Sequence, residues 1–394
     1  MNSPWQERWK FTRIATSGPF PIKLSRSDEP DTLVQLIQTM KREPVETDGR
    51  PVSLKTLAEY LSLSPATISL VVNNAPGAKS IGLKTQQRVL AAAKKFNYKP
   101  NFLARSLRTR QSFTVGVVVP ELSEGYFTMV MSGVDQFLLD AGYLHFVVCH
   151  QHRPDLLTGY PQLLTERAVD GFILVNTELK TPVEVPVVSI SGHKKTRGVS
   201  NINLDHDLAA RLALQHLYDL GHRNIAFMKA SQYILDADPR WDGIQQLAAD
   251  IGIHMRPELC IRITEGGWTP ELGFPSVRDL LASRRDFTAI FCFNDSAAIG
   301  AIRAIVDAGL RCPEDISVIG FDDIATASYM TPRLTTIRQP LKRMGEVAAQ
   351  LLLRRIQNPK EPYPDTIMFE PELVVRESTI PLLHKPSAKK RKTP

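Results

Sequence analysis

The feature that most constrains the fold is a long alternation of short apolar runs and amphipathic helical segments that begins at Phe113. The apolar runs predict strands, at Val115–Pro120, Leu144–Cys149, Gly171–Val175, Pro186–Ile190, Asn224–Met228, Cys260–Ile263, Ala289–Cys292 and Ser317–Gly320. The segments of helical periodicity predict helices, near Phe127–Ala141, Asp155–Arg167, Asp207–Leu220, Arg240–Ile251, Glu271–Ser283 and Ser296–Ala308. Strands that alternate with helices predict parallel sheets with helices on both faces. Because there are too many such units for one comfortable sheet, the sequence predicts an α/β domain of two lobes.

A different pattern precedes this domain, between Ser53 and Asn74, where the sequence is SLKTLAEYLSLSPATISLVVNN. Ser53 can cap a first short helix and Ser64 a second, with a tight connection between them. Apolar residues recur at helical spacing in both segments, so each helix has one face to bury against the other. The outward positions of the second helix are then Pro65, Ala66, Thr67, Ser69, Leu70 and Asn73. This pattern predicts a helix-turn-helix, and a third helix through Val89 and Phe96 completes a three-helix core.

The positive charge of the chain is concentrated around this pattern. Between Arg50 and Ser112 there are eleven basic residues and one acid, Glu59, which gives +10 against +7 for the whole chain. A basic region on an otherwise balanced protein is typical of a phosphate-backbone partner. A solvated helical surface would be the preferred alternative for a basic run alone, but the helix-turn-helix pattern favours double-stranded DNA.

The stretch NYKPNFLARSLRTRQS, from Asn97 to Ser112, predicts a hinge after the head. Pro100 ends the third helix, and Asn101 can cap a new helix of about two turns. An isolated helix shorter than about 12 residues is marginal in water, so this segment is expected to need a partner hinge or DNA in order to form.

The two ends of the chain lack such patterns. Residues 1–50 are interrupted by prolines and are expected to be a poorly ordered extension, with Met40 as an alternative start of translation. Residues 383–394 are expected to be a basic disordered tail, with weak nonspecific DNA contact as the minor alternative. The four cysteines lack metal-ligand spacing, and no apolar run approaches the about 20 residues that span a bilayer. Because the N-terminus also lacks a signal-peptide pattern, the sequence predicts a cytoplasmic protein without a membrane segment.

Taken together, the pattern from Ser53 to Asn73, the motif PNFLARSLR and the α/β alternation closely resemble the LacI/GalR family of bacterial transcriptional regulators. The resemblance runs from about Pro51 to Leu382. It implies a helix-turn-helix DNA-binding domain at 51–99, a hinge helix and linker at 100–112, and an effector-binding and dimerisation domain at 113–382. It also implies that this last domain has two lobes similar to those of periplasmic sugar-binding proteins.

On this resemblance the chain would cross between the lobes three times, near Ser200, near Phe321 and near Pro359. The helix Leu341–Gln357 would return to the first lobe. The final strand region, Thr366–Ile380, would return to the second.

The resemblance implies a set of DNA-binding residues in the head and hinge: Ser64, Pro65, Ala66, Thr67, Ser69, Leu70, Asn73, Thr85, Asn101, Ala104, Arg105 and Leu107. In the head, short polar side chains such as Thr67 and Asn73 are suited to phosphate oxygens, and they would position the head without reading sequence. Leu70 departs from the family, which very often has an arginine there that can bind guanine. Leucine can only contact a thymine methyl or fill space. The loop from Asn74 to Ser80 is also longer than is usual for the family.

The hinge residue Leu107 matches the leucine that, in the family, wedges between central base pairs in the minor groove. Ala104 and Asn101 would pack beside it, and Arg105 and Arg108 would supply the flanking cations that hold the helix against DNA. The alternative makes Leu107 a linker residue that packs on the effector domain.

The resemblance also implies an effector cleft where the lobes meet, at the carboxyl ends of the strands. Its expected ligand-facing residues are Tyr126, Phe127, Ser191, Arg240, Trp268, Asn294 and Asp322. Planar Asp, Asn and Arg groups can bridge neighbouring hydroxyls while an indole covers an apolar ring face, so a saccharide is the expected effector. The structural alternatives are a helix-surface position for Arg240, a lobe anchor for Trp268, a helix cap or turn for Asn294 and Asp322, and core packing for Tyr126 and Phe127. Ser191 stands where the family often has an acid, which removes one hydroxyl acceptor.

The sequence therefore predicts a sequence-specific transcriptional regulator, a repressor, that binds a near-palindromic operator as a homodimer, with a tetramer as the alternative. Neither an enzyme nor a cofactor is expected, because G-x-G-x-x-G and nucleophile-elbow patterns are absent. His145, His150 and His152 are close in sequence but lack the supporting ligands of a metal site. Two alternatives stay open: a regulator that requires a corepressor ligand or partner protein, and a sugar-binding transport protein, which would explain the lobes but not the head.

Overall fold

The computed structural model describes residues 52–73, 75–98, 106, 109, 111–122, 125–192, 196–230, 237–263 and 270–382. The chain forms two compact units that divide after residue 100. The predicted N-terminal extension, basic tail and most of the hinge lie outside the described residues.

The first unit is a small helical head. It contains α1 (Leu54–Leu61), α2 (Pro65–Val72), a 3-10 turn (Pro76–Ser80) and α3 (Leu83–Lys95). The Ser53 and Ser64 hydroxyls cap α1 and α2 by accepting hydrogen bonds from the amides of Thr56 and Thr67, both at 3.1 Å. The apolar faces of the three helices form one core of buried side chains: Leu57, Ala58, Leu61, Ile68, Val71, Val89 and Ala92. The predicted three-helix core with a helix-turn-helix is therefore present.

The second unit contains two six-stranded sheets, one in each lobe. The first lobe holds β1 (Thr114–Val119), β2 (Leu144–Cys149), β3 (Gly171–Val175), β4 (Val187–Ile190), β5 (Val199–Leu204) and β11 (Thr366–Phe369). The second lobe holds β6 (Ile225–Lys229), β7 (Cys260–Arg262), β8 (Ala289–Phe291), β9 (Ser317–Asp322), β10 (Thr335–Arg338) and β12 (Glu372–Val374). The strand orders are β11-β5-β4-β3-β1-β2 and β12-β10-β9-β8-β6-β7. All pairs are parallel except β10 with β12, so helices must connect the strands and cover the sheets.

Helices pack on both sheets, as the alternation predicts. Those of the first lobe are α4 (Tyr126–Asp140), α5 (Pro154–Glu166) and α10 (Leu341–Gln357). Those of the second lobe are α6 (His206–Asp219), α7 (Ala237–Asp250), α8 (Gly273–Ser283) and α9 (Asp295–Asp307).

The chain crosses between the lobes three times, after β5, after β10 and after β11. The first crossover follows Leu204, close to the predicted position near Ser200. The second follows Arg338 rather than Phe321, because β10 pairs in parallel with β9 and stays in the second lobe. The third follows Phe369 rather than Pro359, because β11 pairs in parallel with β5 of the first lobe. Helix α10 returns to the first lobe as predicted, whereas only the later part of the region after Thr366 belongs to the second.

Two glycines let α4 and α10 approach each other closely in the first lobe. A Cβ on Gly133 of α4 would overlap the carbonyl oxygen of Lys342. A Cβ on Gly345 of α10 would overlap the carbonyl oxygen of Val130. Backbone therefore packs on backbone at this point, which fixes the position of α4 and of the loop that precedes it at the cleft.

Candidate functional site

The DNA-facing candidates of the head lie on and around α2. Pro65 and Ala66 are exposed, and Thr67, Ser69, Leu70 and Asn73 are partly exposed. Polar side chains at both ends of the helix are held by local hydrogen bonds. Ser64 Oγ lies 2.9 Å from Thr67 Oγ1, and Asn73 Nδ2 donates to the Ser69 carbonyl at 2.8 Å. These side chains are therefore preoriented on one surface, with hydroxyl and amide groups available to phosphate oxygens.

The other predicted DNA-binding residues lie elsewhere or cannot be placed. Thr85 is partly exposed in the first turn of α3, where its amide donates to the Gly82 carbonyl at 2.9 Å. The hinge residues Asn101, Ala104, Arg105 and Leu107 lie outside the described residues.

In the second unit, the carboxyl ends of both sheets face the cleft between the lobes. The lobes touch there: Gly125, just before α4, has a φ of +92°, and a Cβ on it would lie 2.7 Å from Cγ2 of Ile324 in the second lobe. Tyr126 follows, and its hydroxyl lies 2.8 Å from Ser191 Oγ at the end of β4. Both side chains are buried. This hydrogen bond joins the first residue of α4 to the residue that follows β4, at the edge of the cleft.

Phe127 is fully buried and belongs to the hydrophobic core of the first lobe beside Val130 and Val134. This burial favours the core-packing alternative for Phe127. Trp268 lies outside the described residues.

Arg240, on α7, is buried against the end of the second-lobe sheet rather than exposed on the helix surface. Its Nη1 donates to the Phe293 carbonyl at 2.7 Å. Its guanidinium carbon lies 3.6 Å from the ring centroid of Phe321, a cation–π arrangement. A positive charge is thereby fixed among aromatic rings at the carboxyl ends of β8 and β9.

Asn294 caps α9, where its Oδ1 accepts a hydrogen bond from the Ala297 amide at 2.8 Å. Asp322 ends β9 with a φ of +112°, and its Oδ1 accepts from Gln339 Nε2 at 2.6 Å. Both side chains are buried. The structural alternatives for these residues, a helix cap and a strand-end turn, are therefore realised, and each still leaves the side chain at the cleft edge of the sheet.

A second acid, Asp295, is buried beneath Asp322. Its Oδ2 accepts from the Ile324 amide at 2.9 Å, and its Oδ1 accepts from Thr336 Oγ1 at 2.5 Å. Burial, and then the nearby charge of Asp322, raise the pKa of Asp295 well above its ordinary value. Burial therefore favours the protonated form of Asp295 relative to an exposed carboxyl group.

The sequence prediction did not include the polar residues at the ends of β2 and β3. His150 is 2% exposed, and its Nε2 lies 3.1 Å from Thr177 Oγ1, which follows β3. Burial, and then the neighbouring His152, lower the pKa of His150 to about 4, so the imidazole is neutral at pH 7. Asn176, beside Thr177, is also buried. Their position in the sequence could have identified them, because polar residues that directly follow an apolar parallel strand lie at the cleft edge of the sheet.

Left-handed backbone conformations are concentrated at this edge. Asn176 (φ 45°), Ser191 (φ 57°), Asp322 (φ 112°) and Asp323 (φ 57°) all follow or end strands that point into the cleft. Non-glycine residues with positive φ are strained, and such strain persists where the surrounding structure holds a functional geometry. Asp323 is held by Arg376 at 2.6 Å and by Arg338 at 2.7 Å.

An open cavity of about 900 Å³ lies at the opposite edge of the first-lobe sheet. Val187 and Val199, which begin β4 and β5, line it together with Arg355. The Arg355 guanidinium already donates to the Val187 carbonyl at 3.0 Å and to Ser200 Oγ at 3.1 Å. The polar groups of Arg355 thus bond to other parts of the first lobe.

Within the described part of the chain, no three His, Cys, Asp or Glu side chains converge as a metal site would require. No helix there has the length and apolar character needed to cross a membrane.

Comparison with known proteins defines the class. Residues 214–379 match the periplasmic binding protein-like domain family. The chain is 33% identical over 335 residues to the HTH-type transcriptional repressor PurR of Mannheimia succiniciproducens, covering 83% of this chain and 98% of that protein. It is 31% identical over 332 residues to the ribose operon repressor of Haemophilus influenzae, with coverage of 83% and 98%. A helix-turn-helix head with a two-lobed domain of this type defines a class of ligand-regulated transcriptional repressors.

Solved structures identify the family within that class. The lac repressor dimer bound to operator and an anti-inducer matches with a TM-score of 0.69 and 28% identity, covering 84% of this chain and 100% of that one. The CelR–cellobiose complex matches with a TM-score of 0.59 and 28% identity, with the same coverage. The chain belongs to the LacI/GalR family of transcriptional regulators. The predictions of the family, of the α/β fold with a helical head, and of a DNA-binding repressor are confirmed.

Proposed function

We propose that this repressor is controlled by a saccharide that binds between the two lobes, against Ser191 and Tyr126 on one side and Arg240, Asn294 and Asp322 on the other. The observation that carries the proposal is the convergence of buried hydroxyl, amide, guanidinium and carboxylate groups on one edge of both sheets. A ligand with several adjacent hydroxyls matches such a set, because each planar group can bond two neighbouring hydroxyls.

The similar structures support a carbohydrate as the chemical class. One LacI-family regulator from Enterococcus faecium, 28% identical, was solved with bound ribose, and CelR, also 28% identical, with cellobiose. His150, Asn176 and Thr177 extend the polar wall of the first lobe, and they would replace the acceptor that Ser191 does not supply.

On the DNA side, we propose that two heads of a homodimer bind the two halves of a near-palindromic operator in the cytoplasm. In the head, Ser64, Thr67, Ser69, Asn73 and Thr85 would contact phosphates, while Pro65 and Ala66 would face base edges. In the hinge, Leu107 would wedge into the minor groove, with Asn101 and Ala104 beside it and Arg105 as a flanking cation. The lac repressor dimer bound to operator supports this arrangement.

The effector proposal is tested with the full-length protein and a panel of pentoses, hexoses and β-linked disaccharides. Thermal unfolding is first used to find a sugar that stabilises the protein, and calorimetry then gives its affinity. Asp322→Asn is expected to weaken binding of that sugar at least 10-fold, because a carboxylate that accepts from two hydroxyls is replaced by an amide that can accept with only one oxygen. Asp279→Asn is the matched control, since the Asp279 side chain is 69% exposed on α8.

The same sugar is then titrated into the protein bound to the DNA upstream of its own gene. Release of DNA identifies an inducer, and tighter binding identifies a corepressor, which is the alternative within the same proposal. Failure of every sugar to stabilise the protein, or equal affinity of Asp322→Asn and the parent protein, would contradict the saccharide site.

A further inference from the structure

On the outward face of α2, the side chain of Leu70 packs against another part of the head. Ala66, Thr67 and Leu70 lie on the same side of this helix, at the spacing of three and four residues that aligns side chains. The Leu70 side chain rests against Gly77: a Cβ built on Gly77 would lie 3.2 Å from Leu70 Cδ2. The apolar side chain of Leu70 thus packs on the Gly77 backbone within the head.

Gly77 belongs to the 3-10 turn Pro76–Ser80, which has a defined internal structure. The Ala78 amide donates to the Ala75 carbonyl at 2.7 Å, and Ser80 Oγ donates to the Gly77 carbonyl at 2.7 Å. Ala78 is 5% exposed, whereas Gly77, Lys79 and Ser80 are exposed. The turn therefore has one residue anchored inward and a basic residue presented outward.

Helices on both sides hold this turn. From α2, the Leu70 carbonyl accepts from the Ala75 amide at 3.0 Å while the Leu70 side chain packs on Gly77. From α3, Gln86 Nε2 donates to the carbonyls of Ala78 at 2.9 Å and Ile81 at 2.7 Å. The turn is consequently fixed beside the outward face of α2 before any DNA is bound.

We propose that the Pro76–Ser80 turn is an added DNA-backbone contact of the head, with Lys79 binding a phosphate and Leu70 acting as the residue that positions the turn. Leucine has no hydrogen-bonding group for a base edge, so packing on Gly77 accounts for it better than base reading does. Of the two roles that the sequence leaves open for Leu70, contact with a thymine methyl or filling of space, this assigns the second, as a positioning residue. The inference rests on the DNA-binding function of the family and is independent of the proposed saccharide.

The test measures the affinity of the full-length protein for DNA against salt concentration, on its own upstream operator and on random DNA. Each phosphate contact contributes about 0.9 to the slope of log K against log salt. Lys79→Gln is expected to reduce the slope by about 1 and to weaken binding about 5-fold at 0.15 M salt on both DNAs. The matched control is Lys94→Gln, an exposed lysine at the far end of α3, which is expected to leave the slope unchanged.

Leu70→Ala separates positioning from base reading, since it removes no charge. It is expected to reduce the slope much as Lys79→Gln does, and the two changes together are expected to weaken binding less than their sum. Leu70→Met, which keeps an apolar side chain of similar volume, is expected to restore the slope. Faster amide hydrogen exchange at Ala78 and Ile81 in Leu70→Ala, with α1 protected as before, would report release of the turn in a folded head.

Two outcomes would overturn the proposal. If Lys79→Gln behaves like Lys94→Gln, the turn does not contact DNA. If Leu70→Ala keeps the parent slope but loses preference at a single base pair, Leu70 reads that base directly.

Discussion

The hydrogen bond between the hydroxyls of Tyr126 and Ser191 is the contact at the cleft whose contribution to stability can be tested most directly. The two hydroxyls are 2.8 Å apart, and the side chains are 4% and 1% exposed. Tyr126→Phe removes the one described partner of the Ser191 hydroxyl in its buried site. Leaving a buried hydroxyl without its partner costs about 1–3 kcal/mol, whereas replacing both groups by apolar ones is nearly neutral.

A double-mutant cycle follows from this asymmetry. Tyr126→Phe and Ser191→Ala are each expected to lower the free energy of unfolding by about 1–2 kcal/mol. The double variant is expected to lose less than the sum, which gives a coupling energy of about 1 kcal/mol or more. Urea unfolding of the full-length protein, followed by tryptophan fluorescence, measures these values, with an unchanged m value as the sign that only stability has moved.

Tyr329→Phe is the control, because the Tyr329 side chain is 87% exposed and its hydroxyl can bond water in either state. If the losses of the two single variants add within about 0.3 kcal/mol, the hydrogen bond contributes nothing to stability and the reasoning is refuted.

Three further predictions concern packing and pH. Gly133→Ala is expected to destabilise the first lobe by more than about 2 kcal/mol, because its Cβ would overlap the Lys342 carbonyl oxygen. Thermal unfolding measures the effect, and Gly142→Ala is the control, since Gly142 has a positive φ but open space around it and so reports backbone strain without overlap. Because its pKa is raised, Asp295 adds stability at acid pH, and that stability is lost as the pH rises above about 4. Asp295→Asn is therefore expected to show a smaller fall in the urea midpoint between pH 5 and pH 8 than the parent protein. The pKa of His150 is lowered to about 4, so the stability that its neutral imidazole contributes is lost as the pH falls from about 6.5 towards 4. His150→Gln is therefore expected to lose less free energy of unfolding between pH 7 and pH 4.5 than the parent protein. An unchanged pH dependence in either variant would contradict the burial argument.

Strands made of continuous apolar residues could be predicted from the sequence to the residue. Leu144–Cys149 and Gly171–Val175 have the predicted bounds. Gly171–Val175 is buried throughout, as a central parallel strand that is apolar on both faces should be, whereas Leu144–Cys149 is an edge strand that keeps Leu144 and Phe146 exposed. Two strands were missed. β5 has the sequence VSNINL and β10 the sequence TTIR, whose polar residues are typical of loops. Ser200, Asn201 and Thr336 are nevertheless buried in their sheets, where neighbouring strands and side chains supply hydrogen-bond partners that a one-dimensional pattern cannot show.

Missing β5 and β10 displaced the first two predicted crossovers, because each of these strands directly precedes a passage between the lobes. The third was displaced for another reason: β11 lies in the predicted final strand region but pairs with β5 and stays in the first lobe. The cleft residues were predictable as a class, because polar residues after parallel strands share one edge of a sheet. Their individual environments were not. Arg240 was equally compatible with a helix surface, and its burial between Phe293 and Phe321 arises from contacts between distant parts of the chain.

The second crossover is bonded directly to the proposed effector site. Gln339 lies in this crossover, between β10 and α10, and it is 1% exposed. Its Nε2 donates to Asp322 Oδ1 at 2.6 Å, and its amide donates to the Asp322 carbonyl at 3.4 Å. A sugar hydroxyl that bonds Asp322 would therefore share that carboxylate with a residue of the interlobe connection. Ligand binding and the conformation of the crossover would then be coupled through one carboxylate, and by linkage each would change the free energy of the other by the same amount.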